Sequence, residues 1–261
     1  MASSRYSAGL HAVARLVGKD PGRVRRLLVD RRSDNERIGA LVREAEGKGI
    51  AIERVARNRL DDIAAGTRHQ GVAAELHGGA GALDEAALRT LVEERLTAGA
   101  APLLLILDGV QDPHNLGACL RTADGAGVDA VVVPRRNAAG ITPAVRKVAT
   151  GAAESLPLAR VERLERVLRW LREYGVRVTG TADDADPTLF EADLTGPLAL
   201  VLGGEEKGMA QGVRGLCDTV VSIPMSGCVE SLNVSVAAGV CLYEALRQRR
   251  GTGFANRGGL G

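Results

Sequence analysis

Leu198-Ala199-Leu200-Val201-Leu202-Gly203-Gly204-Glu205-Glu206-Lys207-Gly208 runs from a continuous apolar stretch straight into a charged, glycine-rich turn. A short unbroken apolar run bounded by turn residues reads as a strand covered on both faces, which places the turn at a strand end in an α/β domain. Glycine at such a turn carries no Cβ and is predicted to let a ligand lie against the backbone. Gly203 and Gly208 have the glycine spacing of a phosphate-cradling loop, but Met209 stands where that loop needs Lys. Glu205 and Glu206 would also repel a triphosphate. The turn suits a neutral or cationic ligand.

Strand and helix alternate on both sides of this run. Leu103 to Leu107, Ala130 to Val133, Val176 to Thr179 and Val220 to Ile223 read as further strands. Helical stretches are expected at Leu116 to Gly127, Pro143 to Thr150, Val161 to Tyr174 with Gly175 as its stop, and Val234 to Arg250. This alternation predicts a mostly parallel sheet covered by helices. Residues 5–76 read as a separate, smaller α/β unit, with strands at Val24 to Val29, Ile50 to Val55 and Val72 to Leu76. Gly78-Gly79-Ala80-Gly81-Ala82 is the clearest linker, and a helical stretch from Asp84 to Leu96 follows it. The expected organisation is a first domain at 1–78, a linking region at 79–101, a second domain at 102–250 and a glycine-rich tail at 251–261.

Composition narrows the function classes. The chain has 261 residues, 45% apolar but only 2% aromatic, so its cores rest on Leu, Val and Ala. Few aromatic side chains weigh against a single-strand binder built on stacking platforms. Net charge is only +2, yet residues 1–78 hold 15 basic and 10 acidic side chains while residues 79–261 hold 19 and 22. A basic leading unit attracts a polyanion. Cys119, Cys217, Cys228 and Cys241 have neither Cys-x-x-Cys spacing nor His at metal spacing, and read as small apolar residues of a reducing cytoplasm. No metal is expected. Neither a membrane-length apolar run nor a signal-peptide pattern occurs, which predicts a soluble cytoplasmic protein.

Two further constellations fall at expected strand ends, where open α/β sheets place their ligands. In Leu107-Asp108-Gly109-Val110-Gln111-Asp112-Pro113-His114-Asn115-Leu116-Gly117-Ala118-Cys119-Leu120-Arg121-Thr122-Ala123, which begins where a strand ends, Asn115 reads either as a helix cap or as a site residue. Arg121 lies among Ala118, Cys119, Leu120 and Ala123, where it serves either as a phosphate clamp or as half of an ion pair. His114 reads as a surface residue. In Gly227-Cys228-Val229-Glu230-Ser231-Leu232-Asn233, Ser231 and Asn233 stand at a helix entrance and either cap it or converge with the other two loops on one pocket.

Taken together, Asp112 to Ala118 with Arg121, the Gly203-x-Glu205 turn, and Ile223-Pro224-Met225 with Ser231-Leu232-Asn233-Val234-Ser235 resemble the three signature motifs of the TrmH-type SPOUT methyltransferases. The resemblance spans nearly the whole chain. Residues 5–76 resemble the ribosomal-protein-like RNA-binding domain of one subgroup, as do His69-Gln70-Gly71 and Gly151-Ala152-Ala153-Glu154-Ser155. It implies a SPOUT domain with a trefoil knot, a homodimer, and methyl transfer from S-adenosylmethionine to a ribose 2′-oxygen of RNA. By the same resemblance Asn115, Arg121, Glu205, Ser231 and Asn233 are the catalytic set, and Gly203, Ile223 and Leu232 contact the cofactor. Family members usually carry a small residue after the turn's Glu. Here Glu206 follows, and Glu205 is chosen because it lies two after Gly203. The subgroup implies 23S rRNA as the substrate, methylated at a single guanosine 2′-oxygen in the peptidyl-transferase region.

Three rival readings stand beside this one: a tRNA 2′-O-methyltransferase of the same family, a non-catalytic RNA-binding or ribosome-assembly protein, and a Rossmann-type oxidoreductase or methyltransferase. The last is disfavoured because no strand opens into Gly-x-Gly-x-x-Gly.

Overall fold

The computed structural model describes residues 6–19, 21–64, 69–76, 83–205 and 207–251. The expected linker at 78–82, the tail at 252–261 and Glu206 lie outside the described residues. The chain divides into two compact units, Met1–Gly81 with Thr150–Pro157, and Ala82–Ala149 with Leu158–Gly261.

In the first unit the order is β1 (Tyr6–Ala8), α1 (Leu10–Lys19), a 3-10 turn (Pro21–Arg23), β2 (Val24–Asp30), α2 (Glu36–Gly47), β3 (Ala51–Val55), α3 (Arg57–Ala64) and β4 (Val72–Leu76). The sheet runs β1-β4-β2-β3, with β2 and β3 parallel and β4 antiparallel to both of its neighbours. Its core joins Leu27 and Val29 of β2 with Val13 and Val17 of α1 and Leu41 and Ala45 of α2. The i, i+4 spacing within each helix puts these pairs on one face. Asn35 starts α2 by accepting the Arg37 N–H at 2.9 Å. The His69-Gln70-Gly71 turn has a local cause. Gln70 and Gly71 both adopt positive φ, and buried His69 accepts the Gly71 N–H on Nδ1 at 3.0 Å. Its Nε2 therefore carries the proton and donates to Asp61 at 2.9 Å.

The second unit opens with α4 (Glu85–Thr97), β5 (Leu103–Asp108), α5 (Pro113–Ala126), β6 (Ala130–Pro134) and α6 (Pro143–Ala149). The short α7 (Ala152–Ser155) belongs to the first unit. The second unit resumes with β7 (Leu158–Val161), α8 (Leu164–Glu173), β8 (Arg177–Thr181), β9 (Leu198–Gly203), α9 (Gln211–Arg214), β10 (Thr219–Val221) and α10 (Val234–Arg249). Six strands pair in the order β10-β8-β9-β5-β6-β7, every pair parallel. Leu198 to Leu202 are all buried, as an interior strand between two covered faces requires. On one face Leu104, Ile106, Val132 and Val201 pack with Trp170 and Leu171 of α8 and with Leu88 and Val92 of α4. On the other, α10 packs on β9 and on α5.

One boundary is corrected. Val161 ends strand β7, and the helix begins only at Leu164. Leu158-Ala159-Arg160-Val161 is a four-residue strand with no alternation of its own, and the strongly amphipathic helix behind it hides the break.

Candidate functional site

The C-terminal ends of β8, β9 and β10 border a cleft of about 400 Å³. Gly203, Glu205, Ile223, Ser231 and Leu232 all line it, joined by Thr181, Met209, Met225 and Val234. The lining is thus in part apolar. Asp183, Asp184, Glu205 and Glu230 against Lys207 and Arg214 give the remainder a net negative lining.

The glycine turn has a packing reason that its sequence does not announce. A Cβ on Gly203 would stand 2.0 Å from the Gly208 carbonyl carbon and 2.1 Å from the Met209 nitrogen. A Cβ on Gly204 would stand 2.6 Å from the Gly109 oxygen. The turn folds back on itself, with the Gly208 N–H donating to the Gly204 oxygen at 2.9 Å, and leaves no room for a side chain. Gly208 alone is a conformational requirement, at φ +61° with open space around it. The turn is pinned to the neighbouring strand end as well. The Gly204 N–H donates to the Asp108 carbonyl at 2.7 Å, and the Ala210 N–H to the Asp108 carboxylate at 2.7 Å. Burial pushes the Asp108 carboxyl above its ordinary range, while the Ala210 bond opposes that shift. Sequence reasoning assigned Asp108 no role; its only signal was its place at the end of an apolar strand.

Three segments far apart in sequence meet through Asn115 in the first turn of α5, Glu205 in the glycine turn and Asn233 at the start of α10. The Asn115 Nδ2 donates to Glu205 Oε1, and the Asn233 Nδ2 donates to the same oxygen at 3.4 Å and to Asn115 Oδ1 at 3.1 Å. Among the described residues no donor reaches Glu205 Oε2. An ionised carboxylate accepts only, so that oxygen is available to a hydroxyl or amine of a ligand. Asn233 also caps α10, accepting the Ser235 N–H at 2.9 Å. Asn115 is not a cap: Asp112 fills that position for α5, with Pro113 in the first turn. Capping and convergence, alternatives in the sequence, are both true of Asn233.

Arg121 stands apart. It is exposed on α5, six residues and roughly 9 Å along the axis from Asn115, and does not line the cleft. Among the described residues it has no ion pair or hydrogen bond, so the ion-pair alternative finds no partner there. Its neighbour one turn on is Gly125, where a Cβ would lie 3.2 Å from the Tyr243 hydroxyl of α10. His114 is exposed as expected. Buried Cys119 lies beneath the site with its thiol pushed up to about 12, first by burial and then by Glu205, and is inert as a nucleophile. Among the described residues no cluster of three metal-ligating side chains exists, and no helix is long and apolar enough to cross a membrane.

Comparison with known proteins gives concordant matches. The SpoU rRNA Methylase family matches residues 102–243, and the family described as RNA 2′-O ribose methyltransferase substrate binding matches residues 8–78. A 23S rRNA (guanosine-2′-O-)-methyltransferase RlmB of Shewanella oneidensis is 50% identical, covering 93% of this chain and 96% of that protein. The RlmB of Pectobacterium atrosepticum is 48% identical over 93% of this chain and 98% of its own. Among solved structures, the SpoU methyltransferase AviRb from Streptomyces viridochromogenes in complex with the cofactor AdoMet superposes with a TM-score of 0.64 at 29% identity, covering 93% of this chain and 89% of that one. A TrmH/SpoU tRNA modifying enzyme of A. aeolicus matches at TM-score 0.54 and 29% identity, over 62% of this chain and 86% of its own.

Proposed function

The chain belongs to the SpoU rRNA methylase family, and from that premise we propose that it transfers a methyl group from S-adenosylmethionine to the ribose 2′-oxygen of a guanosine in the peptidyl-transferase region of 23S rRNA. The observation that carries this reading is the match of both units at once to 23S rRNA guanosine methyltransferases, whereas the tRNA-modifying enzyme matches only 62% of the chain.

The cleft fits the cofactor. Its apolar part suits an adenosine, and the net negative lining that includes Glu205 and Glu230 suits a ligand bearing a sulfonium and an amine. Gly203, Ile223 and Leu232 hold it, with the self-filled glycine turn fixing the cradle's shape. When bound, S-adenosylmethionine supplies an electrophilic methyl group on a positively charged sulfur.

The ribose oxygen takes that methyl as its proton leaves by way of the adjacent phosphate, Arg121 or water, so the attacking oxygen and the positive sulfur neutralise each other along the reaction. Alignment matters more than a strong oxyanion hole. Glu205, oriented by Asn115 and Asn233, positions the ribose through its free oxygen, and Ser231 holds the adjoining loop. Arg121 clamps the RNA phosphate next to the 2′-hydroxyl and makes that hydroxyl easier to deprotonate. A guanidinium with a pKa above about 12 is a poor base at neutral pH but a strong bidentate phosphate ligand. Residues 1–78, with their basic excess, act as an RNA-binding domain ahead of a catalytic domain at 102–250, and the protein works in the cytoplasm.

The enzyme is a homodimer through α10. Val236 and Tyr243, seven residues and two helical turns apart, are 52% and 53% exposed on one face. Because Gly125 lies against Tyr243, Arg121 borders the same surface and reaches a site completed by the second copy. Light scattering on the full chain is expected to report twice 27.3 kDa. The double variant Val236→Glu, Tyr243→Glu should scatter as a monomer and lose turnover. A wild-type chain that is monomeric and active would refute the interface.

The substrate is tested by incubating the enzyme and labelled S-adenosylmethionine with unmodified 23S rRNA and, separately, with total tRNA, then mapping the 2′-O-methyl group. Label is expected at a single guanosine of 23S rRNA. Label in tRNA alone would overturn the substrate and leave the reaction class standing.

A further inference from the structure

A second cleft, of about 540 Å³, opens at the same end of the sheet, at the C-terminal ends of β5, β6 and β7. It touches Ala210 and Gly212 just past the glycine turn, so the turn separates it from the cofactor cleft. Arg136, Arg163 and Arg169 line it, all exposed and without an ion pair or hydrogen bond among the described residues. The other charged rim residues are engaged: Arg166 pairs with Glu85 at 2.5 Å and Glu162 with Arg135 at 3.2 Å. Asp108 and Glu165 contribute carboxylates beside Gly109 and Gly212. Asp108 spends one oxygen on the Ala210 N–H.

Three free guanidinium groups over two carboxylates form a mixed lining that neither a simple anion nor a simple cation satisfies. It matches a nucleotide. A guanidinium fork binds a phosphodiester in two hydrogen bonds, and a carboxylate accepts from the amino or imino edge of a base. We propose that this cleft binds one nucleotide of the RNA substrate flanking the methylated residue, its phosphate held by Arg136, Arg163 and Arg169 and its base edge by Asp108 and Glu165. The inference rests on RNA being the substrate of the neighbouring cleft. Two clefts at one end of the sheet, one turn apart, let a single RNA strand run from the reacting ribose beside the cofactor cleft into the second. Asp108 ties the floor of this second site to the turn that shapes the first.

The test compares the full-length parent with the triple variant Arg136→Ala, Arg163→Ala, Arg169→Ala on an unmodified 23S rRNA transcript. The variant is expected to show a KM and RNA Kd raised about tenfold or more, with kcat and calorimetric S-adenosylmethionine binding unchanged. Its log–log salt slope should be shallower by about 0.7, the share of the one single-strand phosphate contact that is lost. The triple Arg→Lys variant should recover much of the affinity, because charge is kept and only the fork is lost. If the triple Ala variant fails to bind cofactor, the single Arg136→Glu variant at an exposed position carries the same expectation of a raised KM at unchanged kcat.

RNA affinity and salt slope equal to the parent's would overturn the proposal. So would guanosine monophosphate binding the parent as tightly as the transcript and losing that affinity in the variant, which would mark a free-nucleotide site. A parent that methylates no 23S rRNA would instead refute the substrate reading, so the two failures are distinguishable.

Discussion

Gly203→Ala is expected to abolish cofactor binding and turnover while leaving the rest of the second unit folded. The new methyl carbon would lie 2.0 Å from backbone carbon and 2.1 Å from backbone nitrogen, so no rotamer change relieves the contact. The turn itself must open. Overpacking of this kind costs about 1–3 kcal/mol or more. It also moves Glu205, two residues on, away from Asn115 and Asn233. Calorimetry should show S-adenosylmethionine affinity down by at least about a hundredfold, with Tm lowered by only several degrees. Gly208→Ala is the control. Its Cβ would meet nothing, and its φ of +61° costs an L-residue roughly 1–2 kcal/mol. It should keep measurable binding and activity. Parent-like cofactor affinity in Gly203→Ala would sink the view that the turn's self-packing shapes the cleft.

That contrast also marks what the sequence made legible. Leu198 to Leu202, Leu103 to Leu107 and Ala130 to Val133 announce themselves as strands because burial on both faces demands unbroken apolar runs. Strand β7 was hidden by the helix that follows it. Strand β1 is three residues long and exists only through its pairing with β4. Helix α3 is rich in charge and buries just Leu60 and Ala64, too few for a period to show. The trefoil knot entered by family resemblance alone, since periodicity carries no record of how a chain threads.

The site was legible residue by residue and not as an arrangement. Asn115 lies in the first turn of α5, Glu205 in the turn after β9 and Asn233 at the entrance of α10, and nothing local says that they touch. Strand order decides it: β9 lies directly against β5, so the loops that follow them share one end of the sheet. The glycines were visible as a pattern, but their reason was not. A ligand approaching the backbone and a backbone approaching itself both exclude a side chain, and the pattern alone does not reveal that the turn packs on itself. Asp108 sits at the head of the first constellation without a role of its own, and the arginines of the second cleft belong to no motif; burial, hydrogen bonding and, among the described residues, the lack of partners single them out.

Arg121→Ala is the second large effect. The side chain is exposed, unpaired among the described residues and outside the cofactor cleft, so its removal costs the fold little and the cofactor nothing. If it clamps the phosphate beside the reacting hydroxyl, its loss removes an interaction made with the RNA as the oxygen becomes anionic. Losing one such preorganised donor typically costs about 10²–10³ in kcat. Methylation of 23S rRNA should fall by about that factor or more, with S-adenosylmethionine affinity within about twofold of the parent and Tm unchanged. Arg121→Lys keeps the charge but not the bidentate fork, and should recover only part of the rate. The KM-against-kcat split then separates the two arginine sites. Arg121 variants lose kcat, whereas the variants of the second cleft lose RNA affinity at unchanged kcat. Near-parental turnover in Arg121→Ala would remove this residue from the reaction and leave deprotonation of the 2′-hydroxyl to the Glu205 side of the cleft.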